Sequence, residues 1–520
     1  MLFNSYPFIF VFLPITLLGF FLIGSQARHR IVVAWLVAAS LFFYGWWNPI
    51  YLWLVITSML FNYAVGIVLS GQRSTRKKAI LIFGVTANLA TLGYFKYANF
   101  FVANVNNLAG AHFHLDPIIL PLGISFFTFQ QIAYLVDAYR GETREYNFLD
   151  YCLFVTFFPQ WIAGPIVHHA EVLPQFENPA VYRFKKRNMA VGLTIFCLGL
   201  FKKTVLADGI ALHANLVFKA AADGLRLSFL EAWGGALAYT LQLYFDFSGY
   251  SDMAIGLGLM FNIRLPLNFY SPYKSINIIE FWRRWHMTLS RFLRDYLYFS
   301  LGGNRKGPAR RYLNLLITML LGGLWHGAGW NFVFWGGLHG GYLVINHSWQ
   351  ALRKQFGLTQ SYTWTRELSR GLTFLAVVVG WVFFRADSVG TASGILQAMV
   401  GANGFSLMES SVGLFPGEAV DIVQREVAAN AMLSRLVFGD PVSGTMRIFA
   451  LLLIARFLPN TYEFMRRYKP SCNDYHDPLI STPTWLRWHP SRPWAIACGV
   501  LLFLAVLRLA KNSEFLYFQF

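Results

Sequence analysis

"YLWLVITSMLFNYAVGIVLSGQRSTRKK", Tyr51 to Lys78, joins an apolar run to a knot of cations. No charge interrupts Tyr51 to Leu69, and a spanning helix needs about 20 mostly apolar residues. The basic group that follows, Gln72 to Lys78, has the composition that the positive-inside rule assigns to a cytoplasmic loop. This stretch predicts an all-α polytopic integral membrane protein.

The rest of the chain follows the same pattern. Hydrophobic residues make up 56% of the 520 and charged residues 13%, with a mean hydropathy of +0.44. Soluble domains carry about 25% charge. Apolar runs recur at Phe8 to Ile23, Ile31 to Trp47, Ala79 to Phe95, Ile118 to Val136, Tyr151 to Val167, Met189 to Ala207 and Leu227 to Tyr244. They continue at Tyr312 to Trp325, Trp330 to Ile345, Leu372 to Phe384, Thr445 to Phe457 and Trp494 to Leu509. Ten to thirteen membrane segments are expected, some tilted, re-entrant or buried in the bundle. The first run has nothing positive before it and no small-residue cleavage site after it, so it is expected to be retained. Arg28 and Arg30, with Gln72 to Lys78, place the N-terminus outside and turn the loop Tyr97 to Pro117 outward.

The net charge of +18 sits in short clusters between apolar runs, such as Arg183 to Arg187. Membrane topology therefore accounts for it, and nucleic acid is not an expected partner. Cys152, Cys197, Cys472 and Cys498 form neither a disulfide framework nor a zinc pattern. Arg385 to Pro441 and Pro470 to Pro493 read as loops or surface helices. No fixed-period repeat is present.

Polar residues inside apolar surroundings are costly and usually functional. Three groups stand out. In Gln242 to Asp252, Gln242 and Asp246 share a helix face, with Ser248, Ser251 and Asp252 beyond and Gly249 able to loosen the helix. They either line a cavity or bond neighbouring helices. In Glu280 to Asp295, His286 lies among Arg283, Arg284, Arg291 and Arg294. Such a stretch suits a membrane interface or an anionic, phosphate-bearing ligand. On a continuous helix Asp295 would lie opposite His286, which points it at Arg291 or Arg294 instead. In "LGGLWHGAGW", Leu321 to Trp330, a helix would surround His326 with Gly322, Gly323 and Gly329. The missing side chains serve either close helix packing, with Gly323 and Gly327 four apart, or access of a substrate to the ring. His168, His169, His339 and His347 are weaker candidates, and none shows metal-ligand spacing.

A neutral imidazole is the usual general base near pH 7, and burial favours the neutral form. A buried histidine can take the proton of a hydroxyl attacking an acyl carbonyl, an assistance worth about 10²–10⁴ in rate. A second polar group would steady the oxyanion. No nucleophile elbow is present, so direct transfer is preferred to an acyl-enzyme. Lys202 and Lys203, with the arginines around His286, could hold the phosphates of a coenzyme A donor.

At these residues the sequence resembles the membrane-bound O-acyltransferase (MBOAT) family, in its bacterial alginate O-acetyltransferase branch. The matching pieces are "GYFKYANF" (Gly93 to Phe100), "LPLGISFFTFQQIAYLVDAYRG" (Leu120 to Gly141), "FPQWIAGP" (Phe158 to Pro165), "QLYFDFSGYSDMAIGLGLM" (Gln242 to Met260), "FWRRWHMTLSRFLRDYLYFSLGGNR" (Phe281 to Arg305), "LGGLWHGAGW" and the terminal "FLYFQF". The resemblance covers about Phe43 to Arg385, within one membrane-embedded domain of residues 1–520. It implies a multi-helix bundle with a central tunnel or funnel. His326 corresponds to the family's signature histidine and His286 to its second recurring one. Trp285, Trp325, Gln242, Asp246, Ser248 and Asn304 would line the passage, and Arg283, Arg284, Arg291 and Arg294 would meet the donor.

The implied activity is O-acetyl transfer from a cytoplasmic thioester, acetyl-CoA, across a bacterial inner membrane to a secreted exopolysaccharide such as alginate. The N-terminus would then be periplasmic. Implied partners are a periplasmic SGNH-type acetyltransferase, an exopolysaccharide synthesis complex and membrane lipid; no cofactor or metal is implied. D-alanyl or other acyl transfer to an envelope polymer is the alternative. A secondary transporter using Asp246 and Asp252 would call for paired repeats, and a non-catalytic scaffold would tolerate loss of His326.

Overall fold

A computed structural model describes residues 1–26, 29–71, 76–143, 147–357, 362–405, 444–473, 475, 483–509 and 516. Arg28, residues 72–75 of the first basic cluster, most of Arg385 to Pro441, part of Pro470 to Pro493 and all of "FLYFQF" except Leu516 fall outside that set. Among the described residues the secondary structure is helical, with no strand.

The helices that position the site are, in order, α1 (Leu13–Gly24), α2 (His29–Gly45), α3 (Tyr51–Ser70), α4 (Lys77–Leu92), α5 (Ala98–Ala109) and α6 (Ile124–Arg140). Then come α7 (Phe148–Thr156), α8 (Phe158–Trp161), α9 (His169–Phe176), α10 (Lys186–Phe201), α11 (Asp208–Ala222) and α12 (Phe229–Met260). The second half holds α13 (Ile278–Arg284), α14 (Met287–Phe292), α15 (Gly307–His326), α16 (Trp330–Gln355), α17 (Thr363–Arg385) and α18 (Val389–Met399). Two more helices, α19 (Gly444–Phe457) and α20 (Thr461–Met465), follow.

The central helix is α12, buried along nearly its whole length and packed on α10, α11, α17, α18 and α19. Ser228 and Glu231 close its start with a reciprocal capping box. It runs unbroken through Gly249, contrary to the expectation of a loosened helix there. Glycines instead bring backbones together. A Cβ on Gly192 of α10 would stand 2.6 Å from the carbonyl oxygen of Gly256, and one on Gly249 would stand 2.7 Å from that of Gly199. Each helix thus presents two glycines seven residues apart, the small-residue contact that lets membrane helices approach. The α15–α16 pair does the same at Gly323 and Gly336, where any Cβ would collide with the partner's backbone.

Polar side chains tie α3, α4 and α6. Asn88 Nδ2 donates to Asn62 Oδ1 (2.6 Å), and Asn62 Nδ2 donates to Asn88 Oδ1 (3.1 Å) and to Gln131 Oε1. The outer face of α3 exposes Trp53, Leu60 and Ile67, seven apart, a stripe suited to lipid.

Among the described residues, four helical stretches have the length and hydropathy to cross a membrane singly: Tyr51–Ser70, Lys77–Ala109, Lys186–Ala222 and Thr363–Arg385. The bent pair Gly444–Phe457 and Thr461–Tyr468 would make a fifth, and three shorter apolar helices accompany them. This is fewer than the ten to thirteen segments expected. Tyr151 to Val167 breaks into the short helices α7 and α8, and Leu227 to Tyr244 becomes part of α12. Sequence runs signal burial against protein as well as against lipid.

Candidate active site

After α12 the chain runs extended to Tyr270 and pairs with the α13–α14 junction. Tyr270 N donates to Arg284 O and Met287 N to Asn268 O, both at 2.9 Å. Between these bonds the helix breaks. His286 adopts φ 43°, in the left-handed region, at a cost of about 1–2 kcal/mol for an L-residue. The continuous helix assumed for Glu280 to Asp295 is therefore replaced by a kink with His286 at its apex.

The kink buries the ring and fixes its protonation. His286 Nδ1 is 3.1 Å from Asn268 Oδ1. The same oxygen accepts from Thr288 Oγ1 (3.0 Å) and from the Thr288 backbone N–H (3.4 Å). A backbone N–H can only donate, so the atom facing His286 is the amide oxygen and Nδ1 must carry the hydrogen. The neutral ring then keeps its lone pair on Nε2, a buried atom with no hydrogen-bond partner among the described residues. Asn268 is itself held by Ser251, 3.2 Å from its Nδ2.

His326 is the last residue of α15 and is 7% exposed. Its ring packs edge-to-face on Trp335 and Phe384, each with centroids 5.1 Å away, and on Trp325 at 4.9 Å. Trp325 also reaches His286, at 6.5 Å between centroids. One indole thus touches both histidine rings. The carbonyls at the end of α15 are capped from α4's extension, a π-turn over Gly93–Tyr97. Lys96 Nζ donates to the oxygens of Trp325 (2.6 Å) and His326 (3.0 Å), and Tyr97 OH to that of Leu324 (2.7 Å).

Around the pair stands an aromatic wall: Trp285 against Trp381 (4.8 Å), Trp335 stacked on Trp381 (5.8 Å) and Phe281 stacked on Trp285 (5.7 Å). His339 is sealed inside it, in contact with Trp282, Trp335 and Trp381, both ring nitrogens without hydrogen-bond partners among the described residues.

Gly323 and Gly327 do not open a notch. Gly323 lies against Phe332 and Gly336, and Gly327 against the Phe332 ring. The helix ends at His326, so Gly329 is not a helical neighbour of that ring. Packing takes these glycines. Space lies nearby instead, in a cavity of about 610 Å³ whose described lining includes Trp46, Trp47, Lys96, Leu120, Ser125 and Phe126. Phe126 meets Trp325 at 5.7 Å, so the rings of Phe126 and Trp325 connect the wall of this space to the histidines.

Of the other candidates, Trp285, Gln242 and Ser248 are buried, and Phe247, beside Ser248, lies 4.8 Å from His286. Asp246 is not cavity lining but the anion of a buried pair, 2.6 Å from Lys203 Nζ, which also binds Asp208 at 2.8 Å. Leu516 N closes on Asp246 at 3.3 Å. Lys202 is held at 2.6 Å by Asp252, so neither lysine is an open phosphate site. Asn304 is exposed in the turn preceding α15, about 30 Å along that helix from His326. Arg284 pairs with Glu280, Arg291 with Glu171 through two bonds (2.5 and 2.8 Å), and Arg294 with Asp295 (2.7 Å). Arg283 is exposed. The four arginines do not converge on one anion site.

Sequence reading did not single out Lys96, Asn268, Trp335 or Trp381. Lys96 and Asn268 act on partners 230 and 18 residues away, beyond any local spacing rule.

A multi-helix membrane bundle with two buried histidines against one tryptophan is the class that fold and site define. The chain belongs to the membrane-bound O-acyltransferase family, whose profile matches residues 41–384; it is a multi-pass membrane O-acyltransferase. It is 45% identical to a peptidoglycan O-acetyltransferase of Helicobacter pylori, across 100% of this chain and 98% of that protein. It is 39% identical to a probable alginate O-acetylase of Pseudomonas aeruginosa, across 100% of both. A teichoic acid D-alanyltransferase of Streptococcus thermophilus is 29% identical over 51% of this chain and 68% of its own length.

Proposed function

We propose that the chain transfers an acetyl group from a cytoplasmic thioester, acetyl-CoA, to a hydroxyl on the envelope side of the inner membrane, for O-acetylation of a cell-envelope glycan. In this reading the N-terminus is periplasmic and a periplasmic SGNH-type acetyltransferase finishes the transfer to polymer. The observation that carries it is the placement of His286 and His326 against Trp325, with the His286 lone pair fixed on Nε2 by Asn268.

His326 acts as the base. As it takes the hydroxyl proton, the oxygen bonds to the acyl carbon. Collapse of the tetrahedral species then breaks the C–S bond, and the proton passes to the leaving thiolate. Neutral His286, its Nδ1–H committed to Asn268, can only accept at Nε2. It therefore serves as a second proton acceptor rather than an oxyanion donor. The indole N–H of Trp335, buried beside His326 and without a hydrogen-bond acceptor among the described residues, fits the donor role.

Full-length similarity to proteins named for alginate and for peptidoglycan supports a glycan hydroxyl as acceptor. A transporter is disfavoured because Asp246 and Asp252 are neutralised by lysines. The test is proteoliposomes given labelled acetyl-CoA on one face only, with envelope extract supplying the second acetyltransferase on the other, where acetyl esters of alginate and of peptidoglycan fragments are measured. Label appearing as ester supports acyl transfer; intact acetyl-CoA crossing would overturn it.

A further inference from the structure

We propose that Lys96 is a positioning residue for acyl transfer. Its ammonium grips the terminal carbonyls of α15 and so sets where the His326 ring stands. The inference rests on His326 acting on the acyl group.

Three observations meet at this side chain. A helix ends with carbonyls that lack partners and carry partial negative charge. At α15 the chain leaves through Gly327 in an extended conformation, φ −161°, so the usual left-handed turn does not cap them. Lys96 and Tyr97 cap them from another helix. Second, neighbouring residues of a regular helix point about 100° apart, yet Lys96 and Tyr97 both reach the same helix end. The π-turn Gly93–Tyr97 makes this possible, and such turns cluster at functional sites. Third, a cation within a membrane bundle is expensive, whereas an uncharged donor such as the Tyr97 hydroxyl suffices for Leu324. The charge falls on the oxygens of Trp325, whose ring stands between the two histidines, and of His326 itself.

The ammonium is committed. Two protons go to carbonyls, and Ser125 Oγ lies 3.5 Å away. Lys96 also sits 5.9 Å from the Trp325 ring centroid and lines the 610 Å³ cavity. It therefore joins that cavity to the histidine without spending its charge on an anion there.

The experiment uses the full-length protein in proteoliposomes with acetyl-CoA as donor, reading thiol release in the presence of glycan fragments. Lys96→Met should lower kcat by about 10²-fold, the effect of an ångström-scale misplacement, with the KM for acetyl-CoA unchanged within about twofold. Asn314→Ala is the control. Asn314 caps the turn at the far end of the same helix, through Leu301 O and Gly303 O, and its loss should lower the melting temperature while kcat stays within about twofold. Lys96→Gln retains an amide N–H that can donate to the carbonyls, without the charge, and is expected to fold. Its kcat should fall by about tenfold, because charge-assisted bonds are roughly twice as strong as neutral ones.

Wild-type kcat in either Lys96 variant, or a raised KM at unchanged kcat, overturns the proposal. So does an equal kcat loss in Asn314→Ala. His326→Ala in the same assay separates the two levels. If it is active, the reading of His326 fails; if it is inactive while Lys96→Met matches wild type, only the role of Lys96 fails.

Discussion

Asn268 Oδ1 stands 3.1 Å from His286 Nδ1 and takes two further hydrogen bonds from Thr288. This contact decides which ring nitrogen can accept a proton. Replacing Asn268 with Ala frees the tautomer and should lower kcat by about 10–100-fold, the usual penalty for losing a partner that orients a histidine. Asn268→Asp keeps an acceptor toward Nδ1–H and should retain more activity than Asn268→Ala. Steady-state kinetics of both variants checks the order, and the reverse ranking would rule out tautomer control.

The buried Trp335 indole beside His326 supports a second expectation. Trp335→Phe preserves the aromatic packing on Trp381 and removes one N–H. If that N–H meets the developing oxyanion, kcat should fall by about 10²-fold with little change in thermal stability. A loss of stability with kcat intact would return Trp335 to a purely packing role.

Asp246 is expected to report on stability rather than chemistry. Removing one partner of a buried ion pair costs about 3–5 kcal/mol, so Asp246→Ala should lower the melting temperature in detergent sharply. The double variant Asp246→Ala, Lys203→Met removes both of the most deeply buried charges, leaves only the partly exposed Asp208 without its lysine, and should recover part of the loss. Equal melting temperatures for the single variant and wild type would show that the pair does not hold α12 to the Lys202–Ala207 turn.

Glycine packing offers a fourth measurement. A Cβ at Gly256 would come within 2.6 Å of the Gly192 carbonyl oxygen, and overpacking of this kind costs about 1–3 kcal/mol. Gly256→Ala should destabilise the α10–α12 crossing by that amount. Gly234→Ala, on the same helix with no atom of the described residues within 4 Å of the added one, should not destabilise. Matching thermal shifts in the two would show that α10 and α12 do not touch through Gly256.

These residues also mark how far the sequence alone could be read. The membrane class, the two histidines and the polar face Gln242 to Asp252 were legible, because apolar runs and out-of-place polar groups are local signals. The break at His286 was not. A non-glycine residue takes a left-handed conformation there because Asn268 and Thr288 hold it, and local propensity gives no warning of that. The arginines looked like an anion site because Glu171, which occupies Arg291, lies 120 residues away. Gly323 and Gly327 looked equally suited to packing or to access until the facing helix, with Phe332 and Gly336, showed what fills them. Lys96 shows in the sequence only as a lone cation in an apolar stretch, and its partners, which give it a role, belong to another helix.

The central claim is that the ring of His326 performs the acyl chemistry. Its most direct measurement is the rate of labelled ester formation by purified His326→Ala protein in proteoliposomes supplemented with the same envelope extract as wild type, at matched amounts of folded protein. A loss of at least about 10²-fold, in line with the contribution of a general base, is the predicted result. Ester formation near the wild-type rate would contradict it.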